Sequence, residues 1–151
     1  MRQSKRFHVV QRVAEDHEQQ RAERLAACER RVRECEAKLA ELEGYQANYL
    51  SEFSRHAGRG IGGARLRDFQ AFLSRLAEAV RQQQEIVLRS QAEREAARNQ
   101  WQRASQRCEI VGRVVKRKEH EEQRAIEHEE QRDADERAQR KSSRRLDAGS
   151  V

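Results

Sequence analysis

The sequence has no proline, few aromatic residues and no long apolar run. Only glycine is therefore present to interrupt a helix, and four of the seven glycines fall between positions 58 and 63. Hydrophobic residues make up 36% of the chain and charged residues 38%. This is little apolar surface for a compact core, but it is enough for long helices that bury one narrow stripe. The composition therefore favours a long helix or a coiled coil.

Signals for secretion, membrane insertion and metal binding are also absent. Residues 1–13 contain no apolar run typical of a signal peptide, and no stretch approaches the ~18–20 apolar residues of a membrane span. The three cysteines, Cys28, Cys35 and Cys108, form no metal-binding motif. An odd number of cysteines without a signal peptide favours a reducing cytosol. We therefore expect a cytoplasmic protein without a metal or a cofactor.

Catalytic motifs are missing as well. No Ser-His-Asp or Cys-His arrangement has a recognisable spacing, and the acidic residues fall on helix faces where pKa values are seldom perturbed enough for acid-base chemistry. The glycine cluster lacks the Lys-Ser or Lys-Thr that completes a phosphate-binding loop. The sequence therefore predicts a protein that is not an enzyme.

Heptad periodicity distinguishes a coiled coil from a disordered chain, which would share this low hydrophobicity and high charge. Two runs of residues alternate steps of three and four, as the a and d positions of a heptad repeat do. The first run is Leu25, Cys28, Val32, Cys35, Leu39, Leu42, Gln46, Tyr49 and Phe53. The second run is Leu66, Phe69, Leu73, Leu76, Val80, Gln83, Val87, Ser90, Arg94, Ala97, Trp101, Ala104, Cys108, Val111 and Val115. We call these a and d positions the seam.

The seam is less regular near the N-terminus. Val10, Ala14 and His17 keep the same rhythm, but they are offset by one residue from the frame of Leu25. This offset predicts a stutter, an interruption of the heptad repeat, within residues 20–24.

The glycine cluster between the two runs predicts an antiparallel hairpin. We expect one domain with helix 1 over about residues 4–55, a turn at 56–63, helix 2 over about 64–141 and a frayed tail at 142–151. If Phe53 faces Leu66, the first arm is used up near residues 111–115, where the second run fades. The remaining helix from about 116 to 141 then has no partner in the chain. Its near-repeat EHEEQRAI–EHEEQRDA pairs Glu with Arg at helical spacing, as solvated single helices do.

The net charge of +6 raises the alternative of a nucleic-acid or membrane-surface binder. A basic leucine zipper has one basic block that leads into a leucine repeat. This chain shows neither feature clearly, so we expect no nucleic-acid partner. Binding of phosphate groups would weaken steeply with salt, which tests this alternative.

One flank of the predicted hairpin is apolar outside the seam. Antiparallel pairing places the g positions of both helices side by side, which brings together Tyr45, Phe72, Ala79 and Ile86. The opposite flank is mostly polar. Apolar residues concentrated on one exposed flank indicate a docking site, while a locally widened core is the other interpretation. The sequence leaves both open.

Several motifs in order along the chain resemble a known family. Phe7-x-x-Val10 is followed by Leu39-x-x-Leu42-x-x-Tyr45-x-x-x-Tyr49 and the glycine-rich turn. After the turn come Phe69-x-x-Phe72-Leu73-x-x-Leu76, Gln82-Gln83-Gln84, Trp101 and Asp135-Glu136-x-Ala138. This order and length resemble the FliJ family of flagellar type III export proteins over essentially the whole chain. The stalk proteins of virulence type III secretion share the architecture and are an alternative, as is a generic homodimeric coiled-coil scaffold.

The resemblance implies a long two-helix antiparallel coiled coil similar to the rotor stalk of the rotary ATPases. It implies a cytoplasmic protein at the flagellar base, monomeric in isolation and peripheral to the membrane only through its partners. Those partners are a hexameric export ATPase (FliI-like), an export gate protein (FlhA-like) and export chaperones. Carried over from the family, the gate-binding residues are Leu42, Tyr45, Tyr49, Phe72, Leu76 and Ala79, bordered by Lys38 and Gln83. Because both termini of such a stalk face the ATPase ring, its expected contacts are Arg2, Lys5, Arg6, Arg12, Lys116, Arg117 and Lys118.

Overall fold

A computed structural model of the chain describes residues 2–149, and it describes side chains from Gln3 onward. Two long helices, α1 (Arg2–Arg59) and α2 (Gly63–Ala148), pack against each other. No strand occurs in this described part of the chain. The predicted all-α fold, a helical hairpin, is therefore confirmed.

The helices extend further than their sequence-based bounds. α1 ends at Arg59 rather than near residue 55, and α2 continues to Ala148 rather than to about 141. Ser142 and Ser143 do not end α2, because serine has only a moderate cost at an exposed helix position. Gly149 follows the last helical residue, and its N–H donates a hydrogen bond to the carbonyl oxygen of Arg145 at 3.1 Å.

The turn between the helices is short because only part of the glycine cluster leaves the helical conformation. Gly60 has a φ of +84°, a conformation that L side chains rarely adopt and glycine adopts freely. The first turn of α2 is closed by a hydrogen bond of 3.0 Å from the Leu66 N–H to the Gly62 carbonyl oxygen. Gly58 stays inside α1, since a single helical glycine costs only about 1 kcal/mol relative to alanine.

Internal packing divides the chain into two units. Unit 1 consists of Met1–Glu18 and Ala104–Val151, and unit 2 consists of Gln19–Arg103. Each unit contains a segment of both helices, so each one has its own stretch of seam.

The seam of unit 2 follows the predicted register. Its most deeply buried side chain is Val32, which is 2% exposed, and Cys35, Val80 and Val87 are also buried. Near the turn, the rings of Phe53 and Phe69 lie with their centroids 5.4 Å apart. Full burial of one such aliphatic or aromatic side chain stabilises a fold by roughly 1.5–3 kcal/mol, so these layers hold the two helix segments together.

Polar residues on the unit 2 seam differ in how well they are satisfied. The Gln83 amide donates a hydrogen bond of 3.0 Å to the Cys35 carbonyl oxygen on the other helix. The Ser90 hydroxyl donates to the Val87 carbonyl oxygen at 2.7 Å within α2. The Nε of Arg94 is buried without a hydrogen-bond partner. An unsatisfied buried donor costs ~1–3 kcal/mol, so Arg94 weakens this seam.

The seam of unit 1 is more polar and differs from the prediction. Its buried or half-buried members on α1 are Ser4, Phe7, Gln11, Ala14 and Glu18. In α1 these positions lead on to Arg21 and Leu25 in steps of three and four, so the predicted stutter within residues 20–24 is wrong. Val10 and His17 are exposed, although their apolar or weakly polar character marked them as seam residues. Apolar content was misleading here because Gln11 and Glu18 take positions that normally hold aliphatic residues.

Helix pairing in unit 1 continues past Val115, where the apolar seam ends. The Ser4 backbone N–H donates a hydrogen bond of 3.1 Å to the Oε1 of Glu122, which caps the first turn of α1 from the other helix. His8 Nε2 and Glu119 Oε1 lie 2.6 Å apart. The prediction that α2 has no partner from residue 116 onward is therefore wrong.

The last segment of α2 is exposed to solvent along its described length. Every residue from 123 to 149 is exposed, and the segment is helical to Ala148. Side-chain contacts within it join neighbours one turn apart, such as Gln123 to Glu127 at 3.4 Å and Gln131 to Asp135 at 3.3 Å. Such pairs stabilise a helix by only a few tenths of a kcal/mol each, so this segment depends on its intrinsic helix propensity.

Candidate partner-binding site

Three exposed aromatic side chains lie together in unit 2, at the end next to the turn. Tyr45 is 48% exposed, Phe72 is 39% exposed and Tyr49 is 37% exposed. The rings of Tyr49 and Phe72 meet edge to face, with centroids 4.7 Å apart and planes at 66°. Such contacts contribute beyond simple area burial. We call Tyr45, Tyr49 and Phe72 the aromatic patch.

The helix pairing explains why these side chains meet. Tyr49 lies at a seam position of α1, and Phe72 lies at a flanking position of α2. Leu42, Leu76 and Ala79 are half-buried at the base of the same flank. Thus the structure places these six predicted gate-binding residues in one unit, with three aromatic rings exposed and three aliphatic side chains partly covered.

The two bordering residues are engaged in different ways. Lys38 is exposed, and its Nζ lies 3.8 Å from a carboxylate oxygen of Glu41. Gln83 points into the seam, where its amide is committed to the Cys35 carbonyl oxygen. A partner on the surface therefore has access to Lys38, while Gln83 acts in the helix-helix contact.

Tyr45 is oriented by a neighbour one turn away. Its hydroxyl donates a hydrogen bond of 3.1 Å to the Oε1 of Glu41. This hydrogen bond to a carboxylate, together with the negative charge of Glu41, raises the pKa of Tyr45 above its ordinary value. The phenol is therefore neutral at physiological pH, and its ring stands as an apolar surface with a fixed polar tip.

A shallow groove of about 280 Å³ borders the aromatic patch. Its lining adds Arg65, Asp68 and Phe69 to Tyr49 and Phe72. Sequence reasoning did not place Asp68 or Phe69 in the site. The available signal was helical spacing, since Asp68 and Phe69 precede Phe72 by one turn. The groove therefore offers an apolar floor with one cationic and one anionic side chain at its edge.

The basic residues predicted to contact an ATPase ring lie in unit 1. Lys5, Arg6, Arg12, Lys116 and Arg117 are exposed. Lys118 is half-buried, with its ammonium 6.0 Å from the centroid of the Phe7 ring. The Arg2 side chain lies outside the described part of the structure. Unit 1 therefore presents exposed positive charge on both helices, and Lys118 is already engaged in helix pairing.

Residues 2–149 also bear on metal binding and on membrane insertion. No group of three or more His, Cys, Asp or Glu side chains there is arranged to hold a metal ion. Neither described helix has a stretch long and apolar enough to cross a membrane.

Comparison with known families agrees with this description. A family model described as the flagellar FliJ protein matches residues 3–147. The chain belongs to the FliJ family. No curated protein sequence and no solved structure matches it. Because the FliJ match covers both helices and the turn, family membership applies to the whole hairpin and not to one helix alone.

FliJ membership identifies the chain as a flagellar protein associated with export. The FliJ family is a non-enzymatic component of that process. The resemblance inferred from the aromatic and glycine motifs is thereby confirmed.

Proposed function

We propose that this chain is the central stalk of a hexameric export ATPase (FliI-like) and links the ring to the export gate (FlhA-like). In this role it acts in the cytoplasm at the flagellar base, is peripheral to the membrane only through its partners, and also contacts export chaperones. The observation that carries the gate contact is the aromatic patch, because Tyr45 and Phe72 are large, exposed and outside the seam. Exposed aromatic anchors of this kind commonly dominate binding energy at interfaces.

Two features of the structure support the rest of the proposal. Each unit pairs its own segments of α1 and α2, which favours a monomer over a homodimeric scaffold, since the seam is already covered. Exposed basic residues in unit 1, among them Lys5, Arg12 and Arg117, favour docking to an acidic surface on the ring. The FliJ match favours the flagellar apparatus over a virulence secretion system.

The gate contact is tested with the double variant Tyr45→Ala and Phe72→Ala. Binding to the purified cytoplasmic domain of the gate protein is measured beside thermal unfolding by circular dichroism. We expect binding to weaken by ~2 kcal/mol or more, as for interface hot spots. The unfolding free energy should change by less than this, since both side chains lie outside the seam and remain 39–48% exposed.

Leu50→Ala is the matched control. Leu50 lies on the same helix as Tyr45 and is also 48% exposed, but its heptad position is on the opposite flank. Gate binding should survive this change. Loss of binding in both variants, or intact binding in the double variant, would exclude the aromatic patch as the gate contact. A large drop in melting temperature of the double variant would favour the widened core.

The ring contact is tested by ATP hydrolysis. The full chain should stimulate the purified export ATPase, and Lys5→Glu with Arg12→Glu should reduce that stimulation while leaving gate binding intact. The effect should shrink as salt is raised, because exposed charges are screened. Stimulation that is equal for the wild-type chain and the variant at low salt would contradict the assignment of these residues.

A further inference from the structure

Unit 1 contains a second apolar concavity, a groove of about 170 Å³ between the two helices. Its lining residues are Val10, Val13, Ala14 and His17 from α1 and Ala104 and Arg107 from α2. We call it the alanine groove. Val10 is the one lining residue that belongs to the motifs resembling the FliJ family, and none of the lining residues is among the predicted partner contacts.

The groove exists because two seam positions hold alanine. Ala14 and Ala104 are buried, and their methyl groups leave open the space that a longer aliphatic side chain would fill. Val10 is 48% exposed and Val13 is 63% exposed beside this space. An apolar cavity of about 150 Å³ accommodates a benzene ring. The alanine groove is therefore large enough for one leucine, isoleucine or phenylalanine side chain.

Arg107 supplies a permanent positive charge at this groove. His17 and Arg107 are exposed at its edge, and none of the side chains that line it is acidic. Arg6 precedes Val13 by one heptad and therefore lies on the same helical stripe. An occupant with carboxylates beside its apolar anchor would gain charge-assisted hydrogen bonds here, while a basic occupant would be repelled.

The apolar exposure continues on α2. Ile110 is 59% exposed and lies one turn beyond Arg107, and Arg117 follows Ile110 by one heptad on the same stripe. On each helix an exposed apolar residue thus shares its stripe with an arginine one heptad away. This is the pattern of an apolar anchor site with a basic rim, which suits an amphipathic helix lying in a groove.

We propose that the alanine groove docks an acidic amphipathic helix from a partner protein. One large apolar side chain of that helix occupies the space above Ala14 and Ala104. A carboxylate one turn away on the same face binds the Arg107 guanidinium. This site is independent of the aromatic patch, because it uses different residues in a different unit.

The probe is a pair of synthetic helical peptides with the same leucine stripe. One peptide carries glutamate on both sides of the stripe, and the other carries lysine at the same positions. Binding of each labelled peptide to the full chain is measured by fluorescence anisotropy. We expect the glutamate peptide to bind roughly tenfold more tightly, and Arg107→Glu should reverse this preference. Val13→Ser should weaken binding of the glutamate peptide by several-fold.

The two substitutions leave the buried floor of the groove untouched, and helicity by circular dichroism should match that of the wild type. The Tyr45→Ala and Phe72→Ala variant serves as a control and should bind the glutamate peptide normally, whether or not it binds the gate. Equal binding of both peptides, or binding unaffected by Val13→Ser, would overturn the proposal. So would sedimentation showing a wild-type dimer that Val13→Ser dissociates, because a second copy would then occupy the groove.

Discussion

Units 1 and 2 use the same heptad geometry with different chemistry. The unit 2 seam buries Val32, Val80 and Val87, while much of the unit 1 seam is built from polar residues such as Ser4, Gln11 and Glu18. Apolar layers gain free energy from burial alone, at roughly 25 cal/mol per Å². Polar layers gain little unless each group finds a partner, because burial removes hydrogen bonds to water. We therefore expect unit 2 to be the more stable of the two and unit 1 to open more readily.

The largest expected effect compares one buried valine in each unit. Val32 in unit 2 is 2% exposed, and Val115 in unit 1 is 3% exposed. An unpaired buried carboxylate costs about 3 kcal/mol or more. Val32→Asp should therefore greatly lower the temperature of the cooperative unfolding transition. Val115→Asp should instead abolish amide protection in unit 1 and leave most of that transition in place. Equal loss of the cooperative transition in both variants would show that the units unfold together.

A smaller effect of opposite sign is expected at Arg94. Because the Arg94 Nε is buried without a partner, Arg94→Met should raise the unfolding free energy by about 1 kcal/mol. Chemical denaturation of the wild-type chain and of the Arg94→Met variant measures the difference, provided that the two show equal m-values. Arg98→Met, on an exposed position one turn later, is the control and should change stability little. A destabilised Arg94→Met protein would mean that the arginine contributes favourably to the seam.

The extent of unit 1 is tested by truncation. Removal of residues 123–151 should leave the helix pairing of unit 1 in place, because every described residue in that range is exposed. Removal of residues 116–151 should lower the protection of α1 near its start, because it takes away Glu119 and Glu122 with their contacts to His8 and Ser4. Hydrogen exchange of the first turns of α1 measures both outcomes. Identical exchange in the two truncated chains would contradict the polar extension of the seam.

The smallest effect concerns pH. The hydrogen bonding of Ser4 to Glu122 lowers the pKa of that carboxyl group below its ordinary value. A lowered folded-state pKa means that the stabilisation is fully present above the ordinary glutamate pKa of ~4.3 and is lost as pH falls through the lower folded value. Exchange of the Ser4 amide, followed by NMR, should therefore speed up below that range beyond the intrinsic pH dependence. Glu122→Gln should remove this extra response, and an unchanged pH response in that variant would assign it to another group.

Sequence reasoning succeeded where the chemistry is local or apolar. The glycine cluster predicted the turn because Gly60 needs a positive φ, and the apolar 3-4 spacing predicted the unit 2 register from Leu25 onward. It failed at Val10 and His17, which lie outside the seam, and at Lys118 and Glu122, which extend it. Apolar content identifies a seam only where the seam is apolar.

The two candidate sites also differ in how far the sequence predicted them. Antiparallel pairing of flank positions was enough to bring Tyr45 and Phe72 onto one side, and the structure exposes both. The alanine groove had no signal in the sequence, because Ala104 is unremarkable among many helical alanines. The groove becomes a candidate binding site because Val13 and Arg107 reach its edge from different helices.

By itself, the sequence determined two helices, one turn and the apolar seam of unit 2. Helix and turn preferences and heptad spacing depend on residues only a few positions apart in the chain. Only the tertiary structure decided which polar residues enter the unit 1 seam, and where helix pairing ends. The reason is that burial of a polar side chain is acceptable only when a partner is present. The partners of Ser4 and His8 are Glu122 and Glu119, at the far end of the sequence.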